Sequence, residues 1–225
     1  MLKGIEMVVF DMAGTTINEQ NVVYKTLHKA LVAYGIETTL EVVLKMGAGK
    51  EKHQAIKDIL RYINSDKIEE SAQIFENFKV LLDKAYEELE VKAIAGVDNV
   101  LLQLKEEGVK VVLNTGYNRK VAMHLLAKLN WTEGTYYDFL VTASDVEKGR
   151  PHPDMIQKAI NHFNISSTQK VLKAGDSEID IEEGKNANCG ITVGVLSGAQ
   201  TKEQLESVHP DFILNSLADL PEILR

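Results

Sequence analysis

Four short clusters of polar residues hold the side chains that could do chemistry in this 225-residue chain. In chain order they are Asp11-Met12-Ala13-Gly14-Thr15-Thr16, Asn114-Thr115-Gly116-Tyr117, Lys148-Gly149-Arg150-Pro151 and Gly175-Asp176-Ser177-Glu178-Ile179-Asp180. Carboxylates are the ligands that Mg²⁺ prefers, whereas hydroxyl, backbone N–H and guanidinium donors suit phosphoryl oxygens. A carboxylate can attack phosphorus only if repulsion from the anionic substrate is relieved, as Mg²⁺ between Asp11, Asp176 and the substrate would do. The clusters together predict cation-assisted chemistry at phosphorus.

Each cluster also has a plainer interpretation when it is taken alone. Asp11 could form a turn or cap a helix, and Asp176 could cap the helix that follows it. Asp180 could complement a helix dipole, and Thr115 could be an ordinary turn hydroxyl. The occurrence of all four clusters in one chain favours the functional interpretation.

Apolar runs alternate with helical patterns along most of the chain. The apolar runs are 7–10, 109–113, 139–142, 171–174 and 191–195, with a further one at 211–214. The helical patterns between them are 97–107, 119–129, 154–163, 179–187 and 202–208. This alternation predicts an α/β fold with a doubly wound, Rossmann-like parallel sheet. Ligands of such sheets bind beyond the carboxyl ends of the strands, which is where the polar residues after each run would lie.

Residues 18–91 break the alternation, because they show only helical periodicity. We therefore predict an α/β core domain, formed by 1–17 and 92–225, and an inserted all-helical cap domain, formed by 18–91. Within the insertion, Thr38 and Glu41 fit a capping box at a helix start. Both ends of the insertion fall beside the carboxyl edge of the first strand, so the helical domain could act as a lid.

Composition and charge argue against several classes of function. The chain has 25 basic and 33 acidic residues, a net charge of −8, and no basic stripe, so we expect no nucleic-acid partner. No apolar window is long enough to span a bilayer and the N-terminus does not resemble a signal sequence, so we expect a cytoplasmic protein without a membrane partner. Cys189 is the only cysteine, which excludes an intramolecular disulfide and a cysteine metal cluster. We expect a monomer or a homodimer that binds a small molecule.

The ordered clusters resemble the four sequence motifs of the haloacid dehalogenase superfamily of hydrolases, over essentially the whole chain. The resemblance implies a hydrolase in which Asp11 is a covalent nucleophile and Thr115 binds the phosphoryl group. It also implies that Thr15 and Gly116 contact the substrate. The Mg²⁺ ligands that it implies are Asp11, the carbonyl of Ala13 and Asp176, with Asp180 supporting the metal from nearby.

The cationic residue of the third motif could be either Lys148 or Arg150. Arg150 is the preferred candidate because it immediately precedes Pro151, as the cationic residue does in the family pattern. Its permanent, delocalised charge suits a phosphoryl oxygen or Asp11. Lys148 could equally be a solvated loop charge.

Ala13 departs from the pattern of the superfamily's phosphatases, which carry there a second Asp that protonates the leaving alkoxide. Together with Arg150, this alanine resembles the phosphonoacetaldehyde hydrolase, or phosphonatase, branch. Met46-Gly47-Ala48-Gly49-Lys50-Glu51-Lys52-His53 resembles the segment that holds that branch's Schiff-base lysine. The resemblance implies that Lys50 forms an imine with a substrate aldehyde, with His53 beside it. An imine would accept the electrons of a broken P–C bond as an enamine, so no alkoxide would need a proton.

Three hypotheses follow. The first is an enzyme of the phosphonatase-like branch, which cleaves the P–C bond of a small aldehyde phosphonate or a P–O bond in a related metabolite. The second is a phosphomonoesterase for a small molecule such as phosphoglycolate, with His53 or the substrate supplying the missing acid. The third is a binding or signalling module in which phosphorylated Asp11 does not turn over. Dehalogenation is disfavoured, because that branch does not need the Mg²⁺ ligands.

Overall fold

The computed structural model describes residues 4–47, 50 and 52–223. Within them the chain divides into two compact units. The core unit joins the segment that ends at Asn18 to the segment that begins at Val91, and the helical unit is Glu19–Glu90. The predicted domain boundaries lie one residue from these positions. Residues 1–3, 48, 49, 51, 224 and 225 of the predicted domains lie outside the described residues, and the assignment of the helical unit as a cap domain stays a prediction.

The core unit is built on a parallel sheet. The strands of the described chain are β1 (Met7–Asp11), β2 (Ile17–Asn18), β3 (Lys92–Ala93), β4 (Lys110–Thr115), β5 (Phe139–Thr142), β6 (Val171–Gly175), β7 (Ile191–Val195) and β8 (Phe212–Leu214). Six of them form one sheet in the order β5-β4-β1-β6-β7-β8, and every neighbouring pair is parallel. Strands β1 and β6 are buried at every position, as apolar strands covered on both faces must be. The predicted doubly wound α/β fold is confirmed.

Helices connect the strands of the core and form the helical unit. The α-helices of the described chain are α1 (Val22–Ala33), α2 (Leu40–Gly47), α3 (Lys52–Tyr62), α4 (Ser71–Glu88), α5 (Val97–Glu106), α6 (Arg119–Lys128), α7 (Asp154–Phe163), α8 (Glu178–Asn186), α9 (Lys202–Ser207) and α10 (Leu220–Ile223). The five helices predicted for the core end within one residue of α5 to α9. None of the helices in the described ranges has the length and apolar character that crossing a bilayer requires.

Two local features differ from the predictions. The predicted capping box of Thr38 and Glu41 is wrong, because α2 begins at Leu40 and its start is capped one residue later. There the Thr39 hydroxyl accepts a hydrogen bond from the backbone N–H of Val42 at 3.3 Å. The antiparallel pair of β2 and β3 was not predicted, since two residues per strand are too few to show a period.

One face of the sheet changes from apolar to polar along the strands. Side chains of four adjacent strands, β5, β4, β1 and β6, join α7 in one buried cluster, to which they contribute Met7, Val9, Val112, Val141 and Val171. Strand side chains alternate between faces, and the register pairs Asp11 with Asn114 and Val9 with both Val112 and Lys173. The same face therefore presents Lys173 at the level of Val9, and Asp11 and Asn114 at its carboxyl end. The core leads directly into a polar site.

We predict that Ile156→Ala, in α7, destabilises the protein by about 2–5 kcal/mol, because a fully buried aliphatic side chain is lost and a cavity remains. Urea unfolding followed by circular dichroism measures the change. Met123→Ala is the control, since Met123 is 47% exposed on α6 and its truncation leaves no buried cavity. Equal destabilisation by both substitutions would contradict the packing described for α7.

Candidate active site

Three buried carboxylates meet beyond the carboxyl ends of β1 and β6. Asp11 ends β1, Asp176 directly follows β6, and Asp180 lies in the first turn of α8. One oxygen from each carboxylate lies within 4.8 Å of the other two, and each residue is at most 8% exposed. Converging, buried carboxylate oxygens are a donor set that fits Mg²⁺. The structure therefore brings Asp11 and Asp176 together, and it adds Asp180 as a third potential ligand.

The loop after β7 holds Asp176 from one side. The backbone N–H of Ala199 donates to Asp176 Oδ2 at 2.7 Å, and the Ser197 hydroxyl donates to the Gly14 carbonyl at 2.7 Å. A Cβ atom would lie 1.9 Å from Asp176 Oδ2 at Gly198 and 2.5 Å from it at Gly14. Only glycine fits at these two positions, because the carboxylate packs directly against both main-chain segments.

Arg150 connects the carboxylates to the end of β4. Its side chain is 11% exposed. It donates from Nη1 to Asp11 Oδ1 at 2.7 Å, from Nε to Glu183 Oε2 at 3.1 Å, and from Nη2 to the carbonyl and side-chain oxygens of Asn114 at 2.9 and 2.7 Å. Its Nη1 also lies 2.8 Å from Asp180 Oδ1, as an ion pair. Lys148, the other candidate for the third motif, is exposed. The structure thus brings Arg150, and not Lys148, to Asp11.

Beneath the carboxylates lies a second group of buried polar residues, of which the sequence pattern indicated only Asn114 and missed Lys173 and Glu183. The Lys173 ammonium contacts Asn114 Oδ1 at 2.7 Å, Asp180 Oδ1 at 2.9 Å and Glu183 Oε2 at 3.2 Å. Asn114 Nδ2 in turn lies 2.9 Å from each carboxylate oxygen of Glu183. Lys173, Asn114 and Glu183 are all 0% exposed. A lysine inside an otherwise apolar strand was the available signal, since a buried charge requires a partner.

Burial and charge shift the pKa values of the carboxylates in opposite directions. Burial raises the pKa of Asp11 to about 6, with Arg150 opposing the shift and Asp180 adding to it. Burial, then Asp11 and Asp180, raise the pKa of Asp176 well above its ordinary value. Burial alone would also raise the pKa of Asp180, but Arg150 and Lys173 outweigh it and lower that pKa. At Asp11 and Asp176 the effect of burial thus outweighs that of the nearby positive charge, and a bound cation would lower both pKa values.

The residues predicted to contact the phosphoryl group lie on the same part of the core unit. Thr115 ends β4, is 2% exposed and accepts a hydrogen bond at Oγ1 from the Tyr117 backbone N–H at 3.2 Å. At Gly116 a Cβ atom would meet nothing within 4 Å, so the main chain there is open to a ligand. Thr15 is fully buried, and within the described residues its hydroxyl has no hydrogen-bond partner. Ala13 is partly buried in the turn after β1.

Lys50 and His53 belong to the helical unit. The Lys50 ammonium lies 2.7 Å from Asp58 Oδ2, with 44% of its side chain exposed, and this hydrogen bond is the main cause that lowers the pKa of Asp58. The His53 ring stacks on Phe75 with centroids 5.2 Å apart. Ala48, Gly49 and Glu51 of the predicted Schiff-base segment lie outside the described residues. The roles predicted for Lys50 and His53 stay predictions.

A comparison with protein families gives a match to the model described as haloacid dehalogenase-like hydrolase, over residues 8–194. The chain belongs to this family. It is 34% identical to a phosphonoacetaldehyde hydrolase of Bacillus cereus strain G9842, over 91% of this chain and 82% of that protein. It is also 34% identical to a phosphonoacetaldehyde hydrolase of Bacillus mycoides, over 92% and 83% of the two chains. The resemblance to the haloacid dehalogenase superfamily and its phosphonatase branch is confirmed.

Solved structures of haloacid dehalogenase-like hydrolases share this fold. A phosphonoacetaldehyde hydrolase-like protein from Oleispira antarctica superposes with a TM-score of 0.81 at 23% identity, over 98% of this chain and 91% of that chain. A predicted phosphoglycolate phosphatase from Haemophilus somnus 129PT gives a TM-score of 0.82 at 20% identity, over 99% of each chain. At these identities the likeness concerns the fold alone.

For this hydrolase we predict that Mg²⁺ raises the melting temperature more at about pH 8 than at about pH 5. The folded-state pKa of Asp11 is about 6 against an ordinary 3.8, and that of Asp176 is also raised. Without a cation, the stability that protonated Asp11 contributes is present below its ordinary pKa and is lost as the pH rises through about 6. Mg²⁺ binds the deprotonated forms and offsets that loss.

Differential scanning calorimetry with Mg²⁺ and with chelator, at both pH values, measures this dependence. Asp176→Asn is expected to lose most of the Mg²⁺-induced shift at about pH 8, because it removes a ligand. Asp83→Asn, an exposed carboxylate in the helical unit, keeps the shift. A melting temperature that rises equally at both pH values would contradict the linkage.

Proposed function

We propose that this hydrolase uses Mg²⁺ and Asp11 to transfer the phosphoryl group of a small aldehyde phosphonate, of the phosphonoacetaldehyde type, to water. The observation that carries this proposal is the convergence of Asp11, Asp176 and Asp180 at the carboxyl end of the sheet. Mg²⁺ bound there would neutralise their mutual repulsion and withdraw charge from a phosphoryl oxygen. Asp11 and Asp176 would hold the metal, with the Ala13 carbonyl as a further oxygen ligand.

Arg150 prepares Asp11 for attack. The guanidinium fixes Oδ1 of the nucleophile at 2.7 Å and so orients the carboxylate plane. In the proposed reaction a carboxylate oxygen of Asp11 forms a bond to phosphorus as the bond to the leaving group breaks. Water then hydrolyses the aspartyl phosphate, which releases inorganic phosphate and restores Asp11. The Thr115 hydroxyl and the open main chain at Gly116 supply donors for the phosphoryl oxygens.

Two features support cleavage of a P–C bond. Ala13 cannot protonate a leaving alkoxide, and relatives at 34% identity are named phosphonoacetaldehyde hydrolases. In the proposed chemistry the Lys50 amine condenses with the substrate aldehyde and releases water. When the P–C bond breaks, its electron pair enters the imine system as an enamine, which is then protonated and hydrolysed to acetaldehyde and free Lys50. No alkoxide leaves in this sequence of steps, so the proton that Ala13 cannot supply is not needed.

The contact between Lys50 and Asp58 is the observation that keeps a phosphomonoesterase as a second candidate. At 2.7 Å, Asp58 stabilises the charged ammonium, whereas imine formation requires the neutral amine. Lys50 must therefore leave this ion pair before it can react. If it does not, the substrate would be a phosphate ester such as phosphoglycolate, and His53 or the substrate itself would supply the proton that Ala13 cannot.

We predict that Asp11→Asn lowers turnover on the order of a thousandfold or more, because the amide cannot form the covalent intermediate. Release of inorganic phosphate from phosphonoacetaldehyde and from a panel of small phosphate esters is the measurement. Chelator abolishes the wild-type rate and Mg²⁺ restores it, whereas Asp83→Asn retains that rate. A wild-type rate that survives exhaustive chelation would refute the proposed mechanism, and a stable aspartyl phosphate without turnover would refute the hydrolytic function.

We further predict that borohydride captures phosphonoacetaldehyde as a covalent adduct on Lys50, because it reduces the imine to a stable amine. Peptide mass spectrometry locates the adduct. Lys50→Ala abolishes both the adduct and P–C cleavage, while Lys84→Ala, which removes a lysine that is 72% exposed, preserves them. Hydrolysis of phosphate esters that persists in Lys50→Ala, together with no adduct in the wild type, would favour the phosphomonoesterase instead.

A further inference from the structure

We propose that Lys173 and Glu183 set the affinity of the site for a divalent cation without contacting that cation, by fixing the net charge of the buried cluster. This inference rests on the Mg²⁺ binding of the proposed function. The two residues lie beneath the candidate ligands and are not part of the group whose oxygens converge. They would act as positioning and charge-setting residues.

The charges of the cluster sum to a value that suits one divalent cation. Four buried carboxylates, Asp11, Asp176, Asp180 and Glu183, lie together with two cations, Arg150 and Lys173. All but Asp176 form ion pairs with one or both cations, and Asp176 converges with Asp11 and Asp180. In its ionised form the cluster therefore carries two negative charges in excess, which one Mg²⁺ neutralises. Removing the charge of Glu183 alone would leave one in excess, and removing that of Lys173 alone would leave three.

Direct contacts connect Lys173 and Glu183 to Asp180 and Arg150. Lys173 Nζ lies 2.9 Å from Asp180 Oδ1, the same oxygen that Arg150 Nη1 contacts at 2.8 Å. Glu183 Oε2 lies 3.1 Å from Arg150 Nε and 3.2 Å from Lys173 Nζ. Both Lys173 and Glu183 have fully buried side chains, so neither water nor salt screens their charges as it would at the surface. A change at either residue therefore reaches the cation site with little attenuation.

A purely structural role and a charge-setting role predict different results. If the pair served only to fill and cross-link the core, each single substitution would loosen the site and weaken cation binding. If the pair sets the charge, the two single substitutions would move the affinity in opposite directions, and the double substitution would restore it. The sign of each change therefore separates the two roles.

The test is calorimetric titration of Mg²⁺ into the purified full chain, with Mn²⁺ binding by electron paramagnetic resonance as a second readout. Glu183→Gln is nearly isosteric and is expected to raise the Kd about tenfold, because it removes one negative charge. Lys173→Met is expected to lower the Kd about tenfold, and the double substitution to return it near the wild-type value. Circular dichroism verifies that each variant is folded.

Glu182→Gln and Lys185→Met are the matched controls, since both residues are exposed on α8, the helix that carries Glu183. Both control variants keep the wild-type Kd. Weaker binding in both single variants, or an unchanged Kd in folded Glu183→Gln, would overturn the inference. If Lys173→Met fails to fold, comparison of the Kd values of Glu183→Gln and Glu182→Gln decides the inference by itself. A wild-type chain that binds no Mg²⁺ would instead overturn the proposed function, and the inference with it.

Discussion

The burial of four carboxylates in one small volume is the constraint on which the core of this hydrolase depends. A buried carboxylate without a partner is strongly destabilising, so positive charge must be built in alongside it. Asp180 and Glu183 each contact both Arg150 and Lys173, and they are fully buried. Among the described residues, Asp11 forms an ion pair with Arg150 alone, and Asp176 accepts a hydrogen bond from the backbone N–H of Ala199. Neutralisation of negative charge by the protein is therefore least complete at the two carboxylates proposed to hold a metal.

The sheet explains how these charges come to lie together. Because side chains alternate along a strand, Val9 and Asp11 share a face, and the register brings Asn114 and Lys173 onto it. The apolar part of that face packs on α7. Helix α8 contributes Asp180 and Glu183 to the polar part, and these residues lie on one side of the helix because they are three positions apart. The site is thus anchored in the same packed layers that stabilise the fold.

The fold could be predicted from the sequence because strand and helix periods are local properties, and the meeting of Asp11 with Asp176 followed from the rule that strand ends share an edge. The compensating network could not. Asp11, 139 residues away, was one of two partners that the sequence offered for Arg150, but the contacts of Arg150 with Glu183 and Asp180 were not foreseen, and Lys173 was counted within an apolar run. Which carboxylate a cation contacts depends on side-chain directions that no local pattern encodes. The same holds for Lys50 and Asp58, because their contact depends on the direction of an exposed lysine side chain and a partly buried aspartate.

Arg150 donates four hydrogen bonds to protein oxygens, from Nε, Nη1 and Nη2, and its Nη1 also forms an ion pair with Asp180 at 2.8 Å. In this arrangement the guanidinium holds Asp11, Asn114 and Glu183 in fixed positions and is already engaged by protein oxygens. In the proposed reaction, the charge of a phosphoryl group would therefore be met by main-chain N–H groups, the Thr115 hydroxyl and the metal, and none of these would contact the organic part of the substrate. Under the proposed function, recognition of the organic part of the substrate would fall to side chains other than Arg150 and its partners, so substrate choice could change without altering the buried charge network.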